Sequence, residues 1–192
     1  FNPGPNPFGP PPVLMGALGP VMTRTAAEVA DGLLVMPFNS DRHFAQRTVP
    51  AMAAGLQRSG RGLAEFSVIA QVMVAMGDTP DEQAAATAAV SGLIAFYGST
   101  PAYLPVLQEE GWADLQPELN RLSKTGDVAA MRALIEPAMV DRIGVAGTPA
   151  ECAAEIVRRF GGYATEVCCY FPGYRPTAAQ LTALTTALHE AR

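Results

Sequence analysis

Four short apolar runs divide the chain, and most are followed by apolar residues at helical spacing. The runs are Val13–Ala17, Leu33–Met36, Phe66–Met76 and Glu166–Phe171. They are continuous rather than alternating, the pattern of strands covered on both faces. After the first come Met22, Ala26 and Val29, predicting a helix over about 21–30. After the second, a loop with cap residues leads into a helix from about Arg42 to Gln57, which Pro50 is expected to break or kink after Val49. Three further helices open on cap signatures: Thr79-Pro80-Asp81-Glu82, Thr148-Pro149-Ala150-Glu151 and Thr177 to Gln180. Their apolar stripes are Val90, Leu93, Ile94 and Tyr97, then Ala153, Ile156, Val157 and Phe160, then Leu181, Leu184 and Leu188. Four strand–helix units predict an α/β fold with a parallel sheet. Four strands are too few to close a βα barrel, which needs eight.

Residues 1–12 hold six prolines and read as a linker or surface loop, with 13–192 as the folded body. Such an opening suggests that further chain precedes it. Between Gly98 and Val145 no strand pattern shows, and Asp127–Met139 reads as helix.

Candidate chemistry centres on Val13-Leu14-Met15-Gly16-Ala17-Leu18-Gly19-Pro20. The glycines permit a sharp turn and close backbone approach, and Pro20 suits the first helical position. On spacing alone this is a plain strand-to-helix turn. A helix start also offers free amides and partial positive charge, which suit a phosphate. Gln71 interrupts the third run, either as a satisfied core amide or as a pocket-lining group. Pro172-Gly173-Tyr174-Arg175 reads as a surface turn with one exposed arginine.

Composition narrows the partners. The chain has 192 residues and a net charge of −5 without a basic stripe, which argues against nucleic acid and anionic membranes. No apolar run approaches membrane-spanning length and no signal-peptide pattern appears, so a cytoplasmic location is expected. Cys152, Cys168 and Cys169 lack framework spacing and read as small buried hydrophobes. With only His43 and His189, no metal site is expected.

Gly16-Ala17-Leu18-Gly19-Pro20 before Met22-Thr23-Arg24, then Glu28-Val29-Ala30-Asp31-Gly32, resembles the luciferase-like monooxygenase family. So does the ending from Gly147-Thr148-Pro149-Ala150-Glu151 through Gly161-Gly162 into a strand. Phe96 to Tyr103 and Trp112 to Asn120 resemble an actinobacterial subgroup described as using the deazaflavin coenzyme F-420. The likeness runs from about Pro11 to the C-terminus and matches the last four strands of that family's barrel.

The resemblance implies a TIM-barrel type fold, present here as an unclosed C-terminal half with four parallel βα units. It implies an oxidoreductase or monooxygenase that uses reduced F-420 or FMN on a small organic substrate, homodimeric when complete. Cofactor contacts map onto Ala17, Leu18, Gly19, Met36 and Asn39. Leu18 stands where many members carry Gly or Ser, so it offers an amide but no hydroxyl. The family's first four strands, with their ring-side residues, have no counterpart here, and no catalytic residue is assigned. The missing N-terminal half of the barrel becomes an expected partner. The competing reading is a non-catalytic half-barrel module for binding or dimerisation.

Strand polarity places one more region. The third strand ends at the sheet's C-terminal face, and the helix after Thr148 must begin there. Residues of about 78–146 are therefore expected to form a helical cap, inserted after the third strand, on the face where barrels bind ligands. Tyr97, Tyr103 and Trp112 either line the substrate pocket there or form the cap's own core.

Overall fold

The computed structural model describes residues 4 and 6–191. The expected proline-rich opening lies partly outside them; residues 6–13 form no helix or strand. The sheet is parallel throughout and unclosed, in the order β1 (Leu14–Ala17), β2 (Gly32–Val35), β3 (Ser67–Met76), with β4 (Val145–Gly147) and β5 (Glu166–Tyr170) both pairing with β3.

The long β3 is the frame. Along a parallel strand, successive residues present their N–H and C=O groups to alternate edges. Ser67 N donates to Asp31 O beside β2 (3.0 Å), and Gly77 N donates to Gly147 O (3.1 Å). Both residues have the same parity, so β4 lies on β2's edge of β3, farther along. The opposite edge carries β5 as far as the pair Met73–Tyr170. Beyond it, the Tyr174 hydroxyl accepts from Met76 N (2.9 Å) and donates to Val74 O (2.8 Å). The stretch expected to be a surface turn thus completes the ladder with a side chain. Burial is the main cause that pushes the Tyr174 phenol up to about 12.

One face of the sheet packs under helices α1 (Pro20–Val29), α3 (Val49–Ser59), α9 (Pro149–Phe160) and α10 (Ala178–Glu190). Leu33, Val35, Val68, Ala70, Val72 and Val74 point into this core. The other, concave face splits in two. Its upper part, Met73 and Ala75, is covered by an excursion of five helices. These are α4 (Pro80–Gly98), α5 (Leu104–Glu110), α6 (Leu115–Thr125), α7 (Val128–Ala133) and α8 (Pro137–Ile143). Its lower part stays open: Gly16 and Cys168 are exposed, Tyr170 is exposed, and Leu34, Ile69 and Gln71 are half-buried. Gln71 is therefore not a satisfied core amide, and Cys168 is not a buried hydrophobe, because nothing covers this side of the sheet among the described residues. Cys169 alternates to the covered face, where burial pushes its thiol up to about 11.

Other expectations are corrected by local physics. The helix at Arg42–Gln57 is not broken at Pro50. A short α2 (Asp41–His43) continues through a π-helical turn, Phe44–Thr48, into α3. Val49 N donates to Phe44 O, five residues back, and this wider winding accommodates the missing Pro50 donor. The expected helix at Asp127–Met139 is two, because Glu136 before Pro137 is extended (ψ 151°). β4, three residues long, carries too little pattern to read. Gly19 has φ −72°, so this turn needs no left-handed backbone. Thr79 accepts from Glu82 N, but the Glu82 carboxylate reaches Asp78 N instead of closing a capping box. The boxes at Thr148 and Thr177 do close.

α1 buries Thr23, Ala26 and Ala27 rather than the Met22–Ala26–Val29 stripe; Met22 is 48% exposed and Val29 70%. Small residues explain it. A Cβ on Gly55 of α3 would stand 2.2 Å from Arg24 O and 2.7 Å from Ala27 Cβ, so the two helices touch backbone to backbone. Gly55→Val is expected to lose about 2 kcal/mol or more of stability by urea denaturation. A change within experimental error would show that the helices separate freely. Tyr174→Phe strands a buried amide and a carbonyl, and an expected loss of about 1–3 kcal/mol is checked the same way.

Candidate functional site

The ends of β1 and β2 lie side by side, with Ala17 in register with Val35. The next residues, Leu18 and Met36, are half-buried and pack against one apolar cluster centred on the fully buried Phe38. Gly19 is the N-cap of α1. No side chain caps this helix, and no acidic residue stands in its first turn. With Pro20 lacking a donor and Thr23 N already bonded to Gly19 O, the Val21 and Met22 amides face outward without a helical acceptor. A Cβ built on Gly19 would meet nothing within 4 Å, so the space before these amides is open. Arg24 forms no ion pair among the described residues, and its Nε is buried without a hydrogen-bond partner. Helical side chains lean toward the helix start, which inclines this cation the same way.

The aromatic candidates gather over the same cluster. Phe38 lies 5.9 Å from Tyr97 and 6.0 Å from Tyr103 between ring centroids, and Tyr97 meets Tyr103 edge-on at 5.8 Å. Trp112 packs there too, its backbone N donating to Leu107 O (2.8 Å). Burial holds the Tyr97 phenol above its ordinary range, with Tyr103 and Tyr170 adding to the shift. Tyr170 itself is exposed on β5, on the open concave face.

Asn39 is placed differently from the other four candidates for the cofactor. It is 3% exposed, and its side chain turns inward. Its Oδ1 stands 2.8 Å from His43 Nδ1, and its Nδ2 donates to Thr48 Oγ1 at 3.4 Å. With Nδ2 spent on Thr48, Oδ1 accepts and His43 Nδ1 carries the proton. His43 is 1% exposed, and burial lowers its pKa to about 4, so the ring is neutral. Ser40 Oγ accepts from His43 N and starts the helix.

The π turn builds this network. Residues five apart diverge by about 140° on an α-helix but come close to register where bonds run i to i+5. His43 and Thr48 thereby share the buried side. Arg42 and Arg47 share the outer one, and both reach Glu109 at the end of α5: Arg42 Nη1 to its carbonyl (2.9 Å), Arg47 Nε to its carboxylate (2.5 Å). Among the described residues no three His, Cys, Asp or Glu side chains gather to hold a metal, and no single helix is long and apolar enough to cross a membrane.

Sequence reasoning missed Phe38, His43 and Tyr170. The alternation Cys168, Tyr170 against Cys169, Phe171 was the available signal for Tyr170. The His43 network depends on a π turn that no pattern announces.

Comparison with known proteins identifies relatives of the chain. The model of the luciferase-like monooxygenase family matches residues 1–166. An uncharacterized protein of Mycobacterium tuberculosis is 45% identical over 167 residues, covering 87% of this chain and 49% of its own length. A 5,10-methylenetetrahydromethanopterin reductase of Methanopyrus kandleri is 31% identical over 139 residues, 72% of this chain and 38% of that protein. The solved coenzyme F420 dependent tetrahydromethanopterin reductase from that organism superposes with a TM-score of 0.68 at 26% identity, over 82% of this chain and 44% of the other. The chain thus spans about half or less of the curated relatives it matches, and its open sheet is of their TIM-barrel type. It belongs to the luciferase-like monooxygenase family of oxidoreductases.

Proposed function

We propose that this chain supplies the C-terminal half of an oxidoreductase that uses reduced coenzyme F-420 on a small organic substrate, with FMN the competing cofactor. The observation that carries the reading is the uncapped start of α1, with outward amides and an open space before Gly19, at the C-terminal end of a parallel sheet. These features fit a phosphate-bearing cofactor tail, and the unpaired Arg24 adds to the fit. The dependence of the Methanopyrus kandleri reductase on coenzyme F420 supports that cofactor over FMN. When bound, the reduced ring supplies a hydride.

This chain's own residues bind and orient. Ala17, Leu18, Gly19 and Met36 border the tail. Asn39 acts from behind, holding the loop after β2 rather than touching the cofactor. Tyr97, Tyr103 and Trp112, in the helical cap over about 78–146, line the substrate side and exclude water. Residues that face the reacting ring belong to the strands that would complete the barrel across the open concave face. That open face is also what favours the second reading, a non-catalytic binding or dimerisation module.

The test is titration of F-420 and of FMN, followed by cofactor fluorescence. It is run on the chain alone and on the chain co-expressed with the N-terminal half of its 45% identical mycobacterial relative. F-420 is expected to bind to the completed barrel. Gly19→Val is expected to weaken that binding at least about tenfold, roughly 1.4 kcal/mol, by filling the space before the amides. Far-UV circular dichroism should be unchanged, since a Cβ there meets no atom of the chain. Unaltered affinity in the folded variant would remove the tail assignment. Binding of neither cofactor by a folded, completed barrel would favour the module.

A further inference from the structure

We infer that His43 is a positioning residue, which sets the aromatic wall of the substrate side through Asn39 and Phe38. The inference takes its functional meaning from the reading of that wall given above.

The chain of contacts is short. His43 fixes Asn39, and Asn39 also binds Thr48 across the π turn. Asn39 is the immediate neighbour of Phe38, the buried ring on which Tyr97 and Tyr103 rest. The same segment docks the excursion from its other side, through Arg42 and Arg47 on Glu109. If the π turn relaxed to ordinary α winding, Thr48 would swing away from His43 and Arg47 would swing off Glu109. The network therefore locks the winding, and the winding locks the wall.

Charge sets the conditions. Arg47 on the π turn and Glu109 from α5 act on the ring in opposite senses, Arg47 lowering its pKa and Glu109 raising it. Asp41 is held by Arg158 of α9 (2.8 Å). Burial outweighs the two charges that act on the ring. The folded ring stays neutral down to about pH 4, whereas an exposed one protonates near 6.5. The unfolded or opened segment therefore takes up the proton first. The hold is complete above pH 6.5 and is lost progressively as pH falls from 6.5 toward 4.

Trp112, the single tryptophan, packs against the buried cluster that contains Phe38 and follows α5, whose Glu109 receives Arg42 and Arg47, so its emission reports on how that helix is seated. In the wild-type chain its emission is expected to be constant above pH 6.5 and to move to longer wavelength between pH 6.5 and 4, while far-UV dichroism is retained. His43→Asn keeps an amide donor near the Nδ1 position without a titrating ring. It is expected to show the wild-type emission at pH 7.5 and no shift above pH 4. His43→Leu removes the donor and should be shifted already at pH 7.5. Asn39→Ala should match it, and the double variant should be no worse than either single one. Wild-type emission in folded His43→Leu and Asn39→Ala, or an unchanged titration in His43→Asn, would overturn the inference. If His43→Leu does not fold, Asn39→Ala and the His43→Asn titration decide. These spectra need no cofactor, so their outcome stands apart from the Gly19→Val result.

Discussion

A long buried strand must place every amide and carbonyl it carries, and the structure is arranged around that demand in β3. Its neighbours are too short to satisfy it. On one edge β2 stops at Ala70 and β4 resumes at Val74; on the other, β5 stops at Met73 and a tyrosine hydroxyl takes over. The helical excursion departs from the top of β3 and returns as β4, so its two ends are held by the strand it covers. The candidate site inherits its rigidity from this arrangement, because its aromatic wall rests on Phe38 and on the covered upper part of β3.

The two faces of the sheet differ for the same reason. Helices α1, α3, α9 and α10 pack on the convex side, and small residues, Gly55 and Ala27 above all, allow close contact between α1 and α3. The concave side receives only what the excursion brings. Residues on that side, from Gly16 on β1 to Tyr170 on β5, are therefore left exposed or half-buried among the described residues.

Much of this was legible in the sequence. Continuous apolar runs identified the four principal strands, although among the described residues only the upper part of β3 is covered on both faces. The capping boxes at Thr148 and Thr177 gave helix starts to the residue. What stayed hidden was set by geometry without a local signature. Pro50 reads as a breaker, yet one wider turn absorbs it. Met22 and Val29 have the spacing of a buried stripe, but close α1–α3 contact through smaller residues overrides their hydrophobicity. Of the candidates, Leu18, Met36, Tyr97, Tyr103 and Trp112 pack against one buried cluster, whereas Ala17 belongs to the other core. Asn39 was readable as a residue at that place but not as one whose side chain is turned away.

The π turn carries a further consequence. It is in effect one residue more than an α-helix of the same span requires. The relation between His43 and Thr48, and between Arg42 and Arg47, is thus encoded in the length of the segment and not only in its residue types. Deleting Ala45 or Gln46 would keep Arg42, His43, Arg47 and Thr48 in the sequence and still yield a good helix. It would also rotate the preceding turn by about 100° relative to α3, turning the buried histidine outward and presenting a different face to α5.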